Sequence, residues 1–263
     1  MPVKQFIITG TERVGSSTFA NSLSYHSKIA CGWEWSLRVP WWRRVKACRS
    51  AMHGDFRLLS KRHQDHMASE FSEESTCLGY RNLFRANDKW LKEPSWALSL
   101  YLDRFYDMTH WWQSDPAIHV IHIVRTNNLA WLRSKFVARK TSSFGAGNLY
   151  PDDLRLHIPV HRALKRVQMK QWLDLAISQI SATNAYHVIR YEDMLTDRDS
   201  VVSDAQSFLG LEAELMPPAQ IPQRQSKGIP IEQHISNYEQ LYAALESAEL
   251  LTAPMPGRTH DNS

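Results

Sequence analysis

Residues 4–19 read KQFIITGTERVGSSTF, and the reading of this stretch decides the fold. Phe6, Ile7, Ile8 and Thr9 form a short apolar, β-branched run, the pattern of a buried strand. Residues 10–15 then mark a turn, bounded by Gly10 and Gly15. Ser16, Ser17 and Thr18 open a segment in which Phe19 and Leu23 recur at helical spacing. Strand, glycine turn and helix start together make a phosphate cradle. Free backbone N–H groups and the positive end of the helix dipole both point at the bound anion.

Gly10 and Gly15 stand where the two glycines of a nucleotide-binding P-loop stand, and Ser17 takes its final hydroxyl position. Ser16, however, replaces the lysine. A nucleoside triphosphate needs that lysine alongside magnesium, so this loop suits one poorly. Arg13 provides a cation inside the loop itself, and its planar fork can hold two oxygens of a phosphate or sulfate. The run Arg13-Val14-Gly15-Ser16-Ser17 resembles the 5′-phosphosulfate loop of the sulfotransferase family, whose donor is 3′-phosphoadenosine 5′-phosphosulfate (PAPS). The resemblance implies that Arg13, Val14, Gly15, Ser16, Ser17 and Thr18 bind the donor. Val14 stands where the family more often has serine, which removes a hydroxyl but keeps the backbone donor.

At 263 residues the chain can bury a substantial core, and its formal charge of +4 fits an anionic ligand without calling for nucleic acid. Cys31, Cys48 and Cys77 are odd in number and lack metal-site spacing, which argues for a reducing compartment and against a disulfide framework or zinc. No apolar run reaches transmembrane length, and the start of the chain passes directly into a strand. These features together predict a cytoplasmic protein.

Further strands are expected at residues 28–31, 77–84, 117–124 and 186–191. Helices are expected at 57–71, 95–112, 129–140, 160–180, 200–209 and 231–245, with a turn-rich connection at 145–151 and a proline-bearing loop at 217–230. The alternation predicts a three-layer, P-loop-like α/β sandwich with a mainly parallel central sheet, built as a single domain over residues 1–263. Ligands in such sheets bind at the carboxyl ends of the strands.

A second anchor lies at residues 123–138. Arg125 emerges where a buried strand ends, and Ser134 sits about one and a half turns into the next helix. The two can converge on a second phosphate. This segment resembles the 3′-phosphate-binding segment of sulfotransferases, which assigns Arg125 and Ser134 to the donor. Gly79-Tyr80-Arg81, Arg190-Tyr191-Glu192-Asp193 and Asn237-Tyr238-Glu239 also resemble family segments. Within the superfamily the resemblance is closest to bacterial-type carbohydrate sulfotransferases, and it covers nearly the whole chain except residues 36–76.

Sulfuryl transfer to a hydroxyl needs a base. Glu34, after the second strand and flanked by Trp33 and Trp35, is the candidate. The resemblance places a catalytic glutamate there, and Arg13 is the second catalytic candidate. His26 and His110 are reserve bases. No metal is expected: His63 and His66 suit a solvated helix face, and a three-residue offset points His119 and His122 to opposite faces of a strand. Arg190 and Glu192 are expected to stabilise a sheet edge. Arg224, Ser226, Lys227 and Gly228 form a polar loop that suits either closure over the donor or ordinary solvation. The basic, aromatic run from Arg38 to Lys46, RVPWWRRVK, suits a surface helix, a lid or a peripheral membrane contact. The expected function is transfer of a sulfuryl group from PAPS to a hydroxyl of a carbohydrate or glycolipid acceptor. A P-loop kinase and a catalytically silent nucleotide- or glycan-binding protein are the alternatives.

Overall fold

The computed structural model describes residues 4–34, 77–84, 115–141, 153–215, 217 and 229–256. The helices expected at 57–71 and 95–112, the connection at 145–151, the 38–46 run, most of the 217–230 loop, and His63, His66 and His110 lie outside the described residues.

Five strands form one parallel sheet: β1 (Lys4–Thr11), β2 (Ile29–Glu34), β3 (Cys77–Phe84), β4 (His119–Val124) and β5 (Tyr186–Arg190), in spatial order β2-β3-β1-β4-β5. The described helices are α1 (Ser16–Leu23), α2 (Asn128–Thr141), α3 (Val160–Ile180), α4 (Asp193–Thr196), α5 (Arg198–Phe208), α6 (Ile231–His234) and α7 (Tyr238–Ser247). The expected α/β sandwich is the observed architecture. Most boundaries shift by one or two residues, and three differences are larger or bear on the site. β2 runs on through Glu34, so this residue ends the strand instead of following it. The expected C-terminal helix is two pieces, because Ile235 turns extended and forms a bridge with Leu156. The short α4 carries too few residues to show a periodicity.

Alternation along the central strands builds the two faces. Phe6 and Ile8 of β1, with Ile121 and Ile123 of β4, pack under Phe19 and Leu23 of α1 and Val202 and Ala205 of α5. Ile7 and Val120 face the opposite layer, where Leu132 of α2, Val167 and Leu173 of α3 and Leu241 of α7 cover them. Strands covered on both faces read as continuous apolar runs, which is why β1 and β4 are so clear in the sequence. Among the described residues, no helix is long and apolar enough to cross a membrane.

His119 and His122 do point to opposite faces. The His119 ring meets Phe208 of α5 edge-on, at 5.2 Å between centroids. His122 is fully buried on the α3 side, with Nδ1 2.6 Å from the Tyr186 hydroxyl and Nε2 3.5 Å from Asp174 Oδ1. Burial, and then the Asp174 charge, push the Tyr186 phenol well above its ordinary pKa. The phenol therefore stays protonated beside Nδ1, and Nε2 on the other side of the ring faces Asp174. The Lys170 ammonium donates to the other carboxylate oxygen at 2.9 Å. Lys170→Met leaves Asp174 as an uncompensated buried charge, so a loss of about 3–5 kcal/mol is expected in denaturant unfolding. Replacing Lys170 and Asp174 together by apolar residues should recover most of that loss.

Candidate active site

The carboxyl ends of the strands form one edge, and the residues singled out in the sequence gather there. β1 ends at Thr11, and Arg13 follows in a left-handed conformation with φ 69°. Gly15, at φ 81°, caps the start of α1, and no side chain caps the helix. The helix begins at Ser16, and Phe19 N–H donates to the Gly15 carbonyl. By helix geometry the amides of Ser16, Ser17 and Thr18 have no acceptor within the helix. The loop thus offers what an anion cradle offers: consecutive N–H groups at a helix start, with a guanidinium beside them.

Helix α2 holds this loop from one side, with residues at one-turn spacing. Trp131 Nε1 donates to the Glu12 carbonyl at 2.8 Å, the Lys135 ammonium bonds the Glu12 carboxylate, and Arg13 Nε donates to Ser134 Oγ at 3.1 Å. Arg125 closes the arrangement from the end of β4, because its Nη1 donates to the Arg13 carbonyl at 3.1 Å. The Arg13 loop and the Arg125–Ser134 pair are therefore one connected surface. Arg125 and Ser134 are about 95% buried.

Arg81 of β3 joins from the other flank. It is buried and donates through Nη1 to Ser17 Oγ at 2.6 Å. Its Cα is in register with Ile8 of β1 and with Glu34 of β2. The end of β2 is thereby set one strand away from an arginine that contacts the cradle. The Glu34 side chain lies outside the described residues. His26 falls elsewhere: it occupies the turn between α1 and β2, at the amino edge of the sheet. Its Nδ1 accepts from Lys28 N–H and its Nε2 meets the Glu212 carbonyl, both at 3.0 Å. Position and committed ring nitrogens remove His26 as a reserve base.

Glu192, read in the sequence as a sheet-edge residue, belongs to this surface instead, together with Tyr191. The Tyr191 ring lies under the Arg125 guanidinium at 4.5 Å, a cation–π distance. The same ring reaches Gly15, where an added Cβ would come within 2.4 Å of it. Glu192 Oε2 accepts from Thr126 N–H and from Thr126 Oγ, both at 3.0 Å, and Oε1 accepts from Asn127 N–H at 2.9 Å. Burial pushes the Glu192 carboxyl up, but the Asn127 and Thr126 donors push it down further, leaving it below its ordinary value. The contribution of these bonds is complete above the ordinary carboxylate range and is lost as pH falls through that lowered value. Only the exposed Arg190–Asp193 pair, at 3.2 Å, remains a surface feature of the strand end.

Arg81, Tyr191, Trp131, Lys135 and Glu12 carried no assigned role in the sequence reading. Trp131, Ser134 and Lys135 share one helical face, so projecting the face around Ser134 would have found two of them. Residues 5–214 match the sequence model of the Sulfotransferase family, and the chain belongs to that family. No curated protein matches the sequence. Among solved structures it is similar to a sulfotransferase from Alicyclobacillus acidocaldarius, with 14% identity, 95% of this chain and 94% of that chain covered, and a TM-score of 0.45. It is also similar to the sulfotransferase domain of the Synechococcus PCC 7002 olefin synthase, with 12% identity, coverage of 98% and 91%, and a TM-score of 0.44.

Gly15→Ala tests the loop. The left-handed conformation alone should cost about 1–2 kcal/mol, and contact with Tyr191 should add to it. Thermal unfolding should show a larger loss for Gly15→Ala than for the same change made in a Tyr191→Ala background, where only the backbone cost remains.

Proposed function

We propose that this sulfotransferase uses PAPS as donor and transfers its sulfuryl group to a hydroxyl of a carbohydrate or glycolipid. The observation that carries the donor assignment is the join between the two cradles, made by the Arg13–Ser134 and Arg125–Arg13 hydrogen bonds. β1 and β4 are adjacent strands, so donors at their ends lie within the span of one nucleotide bearing 5′ and 3′ phosphates. The residues present fit a ligand with an anionic group at each of these two positions. The carboxylates beside the cradle are already held, Glu12 by Lys135 and Glu192 by the Thr126 and Asn127 donors.

In this reading Arg13 and the amides from Val14 to Thr18 hold the 5′-phosphosulfate, with Ser17 oriented by Arg81. Arg125 and Ser134 hold the 3′-phosphate. When bound, PAPS supplies a sulfuryl group carried on a phosphate leaving group. Arg13, with the loop amides, stabilises negative charge gathering there, and Glu34 takes the proton of the attacking hydroxyl. No metal enters the assignment. The carbohydrate acceptor rests on the sequence resemblance. The single domain over residues 1–263 and the cytoplasmic location are part of the same reading, the latter resting on the cysteine pattern.

Two measurements test it. 3′-Phosphoadenosine 5′-phosphate (PAP) should bind about ten- to a hundred-fold more tightly than adenosine 5′-phosphate (AMP), since a charge-assisted phosphate contact contributes about 1.5–3 kcal/mol. Equal affinities by calorimetry would remove Arg125 and Ser134 from the site. Glu34→Gln should leave PAP affinity nearly unchanged while lowering turnover about a hundred- to ten-thousand-fold. Arg13→Ala should weaken both. Near-normal turnover in Glu34→Gln would mean that another residue is the base.

A further inference from the structure

We infer that Glu192 is a positioning residue for the 3′-phosphate half of the donor site, acting through the backbone that follows Arg125. The inference rests on the proposed role of Arg125. Residues 126 and 127 lead from Arg125 into α2, and they are the covalent path between Arg125 and the helix that carries Ser134. Such a link has its own polar backbone groups to satisfy, and distant parts of the chain take them up. Glu192 accepts the N–H groups of Thr126 and Asn127 and the Thr126 hydroxyl. Asn128 N–H donates to the Leu251 carbonyl, Asn128 Nδ2 donates to the Leu250 carbonyl, and Ala253 N–H donates to the Thr126 carbonyl.

The Leu250–Ala253 contacts carry no charge, whereas the Glu192 contacts are charge-assisted and about twice as strong each. Glu192 also follows directly on Tyr191, whose N–H donates to the Val124 carbonyl at 2.8 Å and whose ring lies under the Arg125 guanidinium. One dipeptide therefore grips Arg125 before, on and after its own position: at the Val124 carbonyl, at the side chain, and at the Thr126 amide. An arginine in this vice presents its guanidinium in one orientation, and preorganised donors hold a phosphate more tightly than mobile ones. Glu192 touches no ligand in this scheme.

The experiment compares PAP and AMP affinities in the wild type, Glu192→Gln and Thr126→Val. Glutamine keeps the size but turns an NH2 group toward a backbone N–H and removes the charge. Glu192→Gln should lose about ten-fold in PAP affinity and leave AMP affinity within about two-fold, so the PAP/AMP ratio collapses. Thr126→Val removes only the hydroxyl, should fold normally, and should lower the same ratio by a smaller factor. Arg190→Gln, which touches only the exposed Asp193 pair, should leave the ratio at its wild-type value. An unchanged ratio in Thr126→Val and Glu192→Gln overturns the inference, as does an equal fall in both affinities, which would mark general loosening. If Glu192→Gln does not fold, the Thr126→Val ratio decides alone. A wild type that binds PAP and AMP equally would instead overturn the donor assignment, and this inference with it.

Discussion

The arrangement depends on how closely β1 and β4 approach at their carboxyl ends. Gly10 sits at φ 145°, and a Cβ there would lie 2.4 Å from the Ile123 carbonyl oxygen. Only a residue without a side chain lets the end of β1 lie this close to β4. Everything that leaves those two strands inherits the proximity. The loop bearing Arg13 departs from β1 three residues later, and Arg125 departs from β4 two residues later. Their mutual hydrogen bond then needs only one guanidinium's reach.

Much of this was legible in the sequence because both central strands are buried on two faces. Continuous apolar runs, each followed by a glycine turn or an arginine, located the carboxyl edge and the residues on it. Asn128–Thr141 and Val160–Ile180 were close to the expected helices because their periodicity runs for several turns. Less was legible where the signal is tertiary. Arg81 lies in a strand separated from Ser17 by more than sixty residues, and no local pattern announces that the two meet. Glu192 reads as an ordinary charged residue at a strand end; its role comes from the turn that brings it beside Thr126. His26 misled for the same reason, since sequence distance from the loop says little about which edge of the sheet a turn occupies.

The interior opposite α1 has a different character. His122, Tyr186, Asp174 and Lys170 form a polar chain in a layer otherwise largely apolar. Thr9, in register with His122, adds a buried hydroxyl without a partner among the described residues. Such a network constrains packing more sharply than apolar contacts do, because each member has few acceptable orientations. It ties α3 to β4 and β5, the two strands whose ends carry Arg125 and Tyr191. The site therefore rests on a layer that resists sliding.

Arg13 holds a left-handed backbone that glycine would adopt freely, at a cost of about 1–2 kcal/mol. A library selected for heat resistance alone would accordingly favour glycine at this position. The winner would keep the turn and α1 but lose the guanidinium to which the proposed function assigns the donor. On the role proposed for Arg13, stability and activity pull in opposite directions at this residue.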